Sequence, residues 1–157
     1  MTSIEFAQLE YRVAAPAHAA ACVILRGRTR QNAVSAERLA SIGITAQSLS
    51  DHIRSGALSG YVCTHADRIV GFCFGERVTG EVVVLALLPE YKGRGIGRNL
   101  LSGVVADFQR NGFDRLFLGC SPDPGTRSYG FYRHLGWTST GRFDAAGDEV
   151  LEYFLAR

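Results

Sequence analysis

The sequence predicts a single α+β domain organised around a central strand–helix–strand crossover. Three observations carry that expectation. A length of 157 residues fits one domain. No repeat, linker or low-complexity stretch divides the chain. Across residues 82–120 the apolar pattern passes from a strand-like run to a helical period of about 3.6 and back to a second strand-like run.

Taken in order, residues 4–14 alternate loosely and predict an opening strand that stops near Pro16. Ala21, Val23, Ile24 and Leu25 predict a helix over residues 17–28 that ends at Gly27, and Leu49 and Ile53 predict another over residues 45–55. Residues 60–64 and 68–74 are rich in β-formers and flank His65-Ala66-Asp67, the expected turn of a hairpin. After a second turn at residues 78–81, Val82 to Leu88 is apolar throughout, as expected of a central strand buried on both faces. Pro89 closes it, because proline cannot donate to a sheet ladder. Ile96, Leu100, Leu101, Val104, Val105 and Phe108 then fall on one helical stripe, which Asn111-Gly112 stops. Residues 115–120 predict a buried strand, residues 127–135 a helix ended by Gly136, and residues 150–155 a closing strand.

Composition narrows the class of function. A net charge of +2 gives no bulk electrostatic reason to bind nucleic acid or a membrane surface. No run approaches the roughly 20 apolar residues of a membrane span, and Met1 to Glu5 lacks the basic-then-apolar order of a secretory leader, so a cytoplasmic protein is expected. Cys22, Cys63, Cys73 and Cys120 are widely spaced among apolar neighbours, which predicts buried, reduced thiols and no metal site.

The informative feature is the turn Lys92-Gly93-Arg94-Gly95-Ile96-Gly97, set between an apolar strand and an amphipathic helix. Glycines there let the backbone bend sharply and approach a ligand. The free N–H groups of the helix start, at the positive end of its dipole, suit a phosphate. Arg94 and Arg98 add charge nearby. A dinucleotide fingerprint would need glycine where Leu100 stands, and the Gly-Lys-Ser/Thr of a P-loop is absent.

Residues 87–101, Leu-Leu-Pro-Glu-Tyr-Lys-Gly-Arg-Gly-Ile-Gly-Arg-Asn-Leu-Leu, resemble the acyl-CoA-binding segment of the GNAT superfamily of N-acetyltransferases. The family pattern is V-x-P-x-y-(Q/R)-x-x-G-x-(G/A), followed by a helix. Downstream, Phe131-Tyr132-Arg133-His134-Leu135-Gly136-Trp137 resembles the family's later "fYeklGF" signature, at the family's spacing. The resemblance covers residues 60–157. Two departures stand out: Lys92 replaces the usual Gln or Arg, and Gly125 stands where many members carry asparagine.

The resemblance implies a central, mixed but mostly antiparallel sheet flanked by helices, with acetyl-CoA held at a splayed pair of strands. It implies that the backbone amides of Gly93, Arg94, Gly95, Ile96, Gly97 and Arg98 take the pyrophosphate, with the Lys92 side chain beside them, and that Leu85, Ala86 and Leu87 line the pantetheine arm. Tyr132 is the implied general acid for the departing thiolate, since a phenol with a pKa near ~10 stays protonated at neutral pH. Glu81 is the nearest candidate base for the acceptor amine, with Glu76 second. The amine attacks directly, so Cys120 is expected to be core and no metal is needed. A small-molecule or peptide amine is the implied acceptor, and homodimers are frequent in the family. A CoA-binding regulator of the same fold without turnover is the alternative.

Overall fold

In the computed structural model, which describes residues 8–29 and 33–156, the strands fall into two antiparallel sheets. In chain order the elements are β1 (Leu9–Val13), α1 (Ala19–Arg26), α2 (Ala36–Ser41), α3 (Ala46–Ser55), β2 (Leu58–His65), β3 (Arg68–Glu76) and β4 (Val82–Leu87). Then come α4 (Ile96–Arg110), β5 (Arg115–Cys120), α5 (Arg127–His134), β6 (Thr138–Phe143) and β7 (Glu149–Phe154). The first sheet runs β1-β2-β3-β4 and the second β5-β7-β6. Residues 4–7 of the expected opening strand lie outside the described residues.

Side-chain alternation decides what covers each face of the first sheet. Tyr61 of β2 turns toward α4, where its hydroxyl donates to Asp107 at 3.3 Å. Its neighbour Val62 faces the opposite side, the side on which α1 and α3 pack against β2 and β3. The α4 stripe behaves as its period predicts: Ile96, Leu100, Leu101, Val104 and Phe108 are buried. With Val62, Val70, Phe74, Leu116 and Leu151 they form one core, each side chain contributing roughly 1.5–3 kcal/mol by burial.

The β2–β3 hairpin turns on two residues, Ala66 and Asp67, at φ 50° and 66°, rather than on three. Positive φ at both central positions is the geometry whose twist matches a hairpin. α2 and β6 were not legible in the sequence; both are short and mostly exposed.

Two expectations about burial are corrected. β4 is not covered on both faces: Val83 is 41% exposed, and Val84, Leu85 and Leu87 are half-buried. β5 is one-sided, with Leu116, Leu118 and Cys120 buried while Arg115 and Gly119 are exposed. Both depart for one reason. The two parallel strands meet only at a single bridge, Glu81 to Phe117, where the Phe117 N–H donates to the Gly80 carbonyl at 3.2 Å. Past that bridge β4 pairs only with β3 and β5 only with β7, so a gap opens between them.

All four cysteines are free and buried. Burial pushes the Cys22 thiol up to about 12 and Cys63 to about 11, which keeps both protonated and inert.

At Gly60 the β3 backbone comes unusually close: a Cβ there would lie 1.9 Å from the Cys73 carbonyl oxygen. Gly60→Ala is therefore expected to cost about 3 kcal/mol or more, beyond ordinary core overpacking, because backbone rather than a side chain must move. Urea unfolding at constant slope would show the lowered midpoint; an unchanged midpoint would mean the strands part easily here.

Candidate active site

The glycine turn sits where β4 ends. Leu88 still donates its N–H to the Val70 carbonyl, and a single 3-10 turn, Pro89–Tyr91, then swings the chain outward. Tyr91 is buried, and its hydroxyl lies 2.6 Å from His65 Nδ1 at the end of β2, which ties the start of the turn to the first sheet. Gly93 and Gly95 both adopt φ +78°, a conformation that L side chains rarely hold. A Cβ at either would meet nothing within 4 Å, so the space over the turn is open.

Gly95 caps α4. Its carbonyl accepts from the Asn99 N–H at 3.0 Å, and no side chain caps the helix start. The N–H groups of the first turn thus lack intrahelical partners. Lys92, Gly93, Gly95, Ile96, Gly97 and Arg98 line a cleft of about 520 Å³. Arg94, half-buried between the two left-handed glycines, is not among the residues lining it, and its Nε is buried without a hydrogen-bond partner.

One wall of that cleft is β4 from Val82 to Leu87, including Leu85, Ala86 and Leu87; the facing wall includes Leu118 and Cys120 of β5. Tyr132 and Phe131 of α5 line it too, and Arg26 at the end of α1 and Thr29 just beyond close another side. The open edge of β4 therefore faces into the cleft. Tyr132 is 9% exposed and packs edge-on against Phe131 and Trp137, at centroid distances of 5.1 and 6.0 Å. Burial, followed by the proximity of Cys73 and Cys120, raises its phenol well above the usual value near 10. It holds its proton through the whole physiological range.

Glu81 sits at the bridge where the strands part and does not itself line the cleft. Burial, then Glu76, then Asp144 push its carboxyl above the ordinary value. Two further carboxylates, absent from the sequence reading, come from the β6–β7 hairpin. Asp144 and Asp148 lie over Gly119, where a Cβ would be 2.7 Å from Asp144 Oδ2 and 3.3 Å from Asp148 Cβ. Asp148 lines the cleft, and burial followed by Asp144 raises its carboxyl too. Their only signal in the sequence was a glycine at an outward position of β5. His52 and His134 are exposed, and His65 is engaged with Tyr91. No group of three or more His, Cys, Asp or Glu among the described residues could hold a metal ion.

The model of the acetyltransferase (GNAT) family matches residues 31–137. The chain belongs to that family. An N-acetyltransferase ycf52-like protein of Prochlorococcus marinus is 36% identical over 74 residues, a match that takes in 45% of this chain and 39% of that relative. The chain thus aligns with well under half of its curated relative's length. Among solved structures, the Thermoplasma acidophilum PaiA N-acetyltransferase in complex with coenzyme A superposes at TM-score 0.76, with 18% identity, over 94% of this chain and 99% of that one. The Salmonella typhimurium yncA structure with acetyl-CoA gives 0.73 with 16% identity, over 95% of both chains. An acetyltransferase from Streptococcus agalactiae gives 0.77 with 17% identity, over 96% and 100%. At these identities the likeness is one of fold, and the GNAT fold is what this chain has.

The raised carboxyl of Glu81 in this GNAT domain has a consequence for stability. A carboxyl whose folded value exceeds its unfolded one binds more protons when folded, so its ionisation erodes stability as pH rises through that window. Glu81→Gln should therefore raise Tm at pH 7.5, with the gain shrinking toward zero as pH falls below about 4.5, the ordinary value. Thermal scans across pH test this; a gain that persists in acid would assign the effect to packing.

Proposed function

We propose that this GNAT domain binds acetyl-CoA in the cleft between β4 and β5 and transfers the acetyl group to a primary amine. The observation that carries the reading is a coincidence within one cleft: an uncapped helix start on an open glycine turn, an unpaired parallel-strand edge, and a buried protonated tyrosine. The fit is chemical as well as spatial. Backbone N–H groups from Gly93 to Arg98 supply donors for a pyrophosphate, aided by the positive end of the α4 dipole. Because Arg94 does not line the cleft, the backbone carries more of this contact than the two arginines the motif displays. The open edge of β4 offers amide N–H and C=O groups that match the alternating amides of a pantetheine arm.

Bound acetyl-CoA supplies an activated thioester. The chain's part is to position and to move protons. N–H groups on the β4 edge polarise the thioester carbonyl and stabilise charge developing on its oxygen. Tyr132 gives its proton to the departing sulfur as the C–S bond breaks and the C–N bond forms. The attacking amine must first lose a proton, and Glu81, its basicity raised by burial and by Glu76, receives it through water.

The same electrostatics support a cationic acceptor. Glu81 and Asp148 are each held above their ordinary values, in part by neighbouring negative charge. An incoming ammonium group relieves that crowding.

Acetyl-CoA at 100 times its dissociation constant should stabilise the protein by about 2.7 kcal/mol. Tyr132→Phe should keep that shift while turnover with an amine panel, read as free thiol, falls by roughly 10²-fold or more. No stabilisation by acetyl-CoA would sink the reading. Stabilisation without turnover in the wild type would leave a CoA-binding protein of this fold.

A further inference from the structure

A second cavity, of about 410 Å³, opens beside α1 and shares no lining residue with the acetyl-CoA cleft. Its depth is apolar. Leu25 and Leu88, each 3% exposed, line it together with Ala21, Ile24 and Ile69. Ile24 is 55% exposed, so the cavity leaves apolar surface open at its mouth.

Its polar lining consists of Arg12, His18, Arg28, Thr64, Asp67 and Arg68. Thr64, 6% exposed, lines the cavity from β2, on the α1 side of the sheet. His18 accepts the Ala15 N–H on Nδ1 at 2.9 Å, so the neutral ring carries its proton on Nε2 and is a second donor.

The charges do not cancel within the cavity. Arg12 is ion-paired with Glu10, and Asp67 acts on that same guanidinium. Arg28 and Arg68 have no carboxylate partner among the described residues. Arg28, Arg68, the His18 ring N–H and the Thr64 hydroxyl thus line one cavity together with its apolar walls, and among the described residues Asp67 is the single carboxylate in that lining.

We propose that this cavity is a second ligand site, for a small organic oxyanion carried on an apolar body. Guanidinium groups bind a carboxylate or a phosphate monoester by charge-assisted hydrogen bonds, and Ile24, Leu25 and Ile69 take the hydrocarbon part. The site borders the acetyl-CoA cleft through α1, since Arg26 lines that cleft while Leu25 and Arg28 line this one. It does not depend on the acyl-transfer reading, and its test uses no acetyl-CoA.

The test is an amide NMR titration of the full chain with sodium hexanoate, hexyl phosphate and hexylammonium chloride in separate series. Hexanoate, hexyl phosphate or both should give saturable shifts centred on Ile24, Arg28, Arg68 and Ile69, and the stronger of the two tells which oxyanion the site prefers. Hexylammonium should give none. The Arg28→Gln/Arg68→Gln double variant, both changes being on exposed side chains, should weaken binding by about tenfold or more, and Thr64→Val by several-fold. The proposal is overturned by any of three results: no saturable shift with either anion, shifts centred instead on Gly93 to Arg98, or an unchanged affinity in the double variant.

Discussion

The molecule depends on a hydrogen-bond ladder that stops after one rung. β4 and β5 run parallel and meet at Glu81 and Phe117, after which neither strand pairs with the other. Buried backbone groups are almost always paired, so an unpaired strand edge inside a domain normally invites another strand. Here each strand is held by its own sheet, β4 by β3 and β5 by β7, and the edge opens into a cleft instead. A ligand with amides of its own can complete the ladder that the protein leaves unfinished.

Everything else at the site serves that gap. α4 begins at its mouth because Gly93 and Gly95 take left-handed backbone conformations and turn the chain there. The hydrogen bond between Tyr91 and His65 anchors the turn to the first sheet. α5 brings Tyr132 to the opposite wall, and the aromatic cluster with Phe131 and Trp137 dries its surroundings enough to keep the phenol protonated. The carboxylates collect at the closed end, where the strands are still joined.

The legible parts of this arrangement were local ones. Three alternate glycines between an apolar run and an amphipathic helix are visible as a string of residues, because the turn they form is made by neighbours in the chain. The α4 stripe and the Phe131–Trp137 segment are legible for the same reason. β6 was not, since five of the six residues of Thr138–Phe143 are exposed and the strand has no apolar alternation. Asp144 and Asp148 were invisible as site residues because their position depends on β7 registering against β5, Gly119 opposite Val150, which no local pattern records. That Arg94 stays off the cleft lining was hidden likewise: a flanking arginine reads as a phosphate contact until the backbone on either side of it is known. Glu81 was found by motif logic, yet its raised carboxyl arises from burial, Glu76 and Asp144 together.

Hydrogen exchange measured with and without acetyl-CoA tests the unfinished ladder most directly. The account predicts new protection of amides in two separate segments, Val84 to Leu87 on the β4 edge and Gly93 to Arg98 at the start of α4, with β1 and β2 unchanged. Protection confined to the glycine turn, with β4 exchanging as freely as before, would contradict it and leave only an anion-binding helix start.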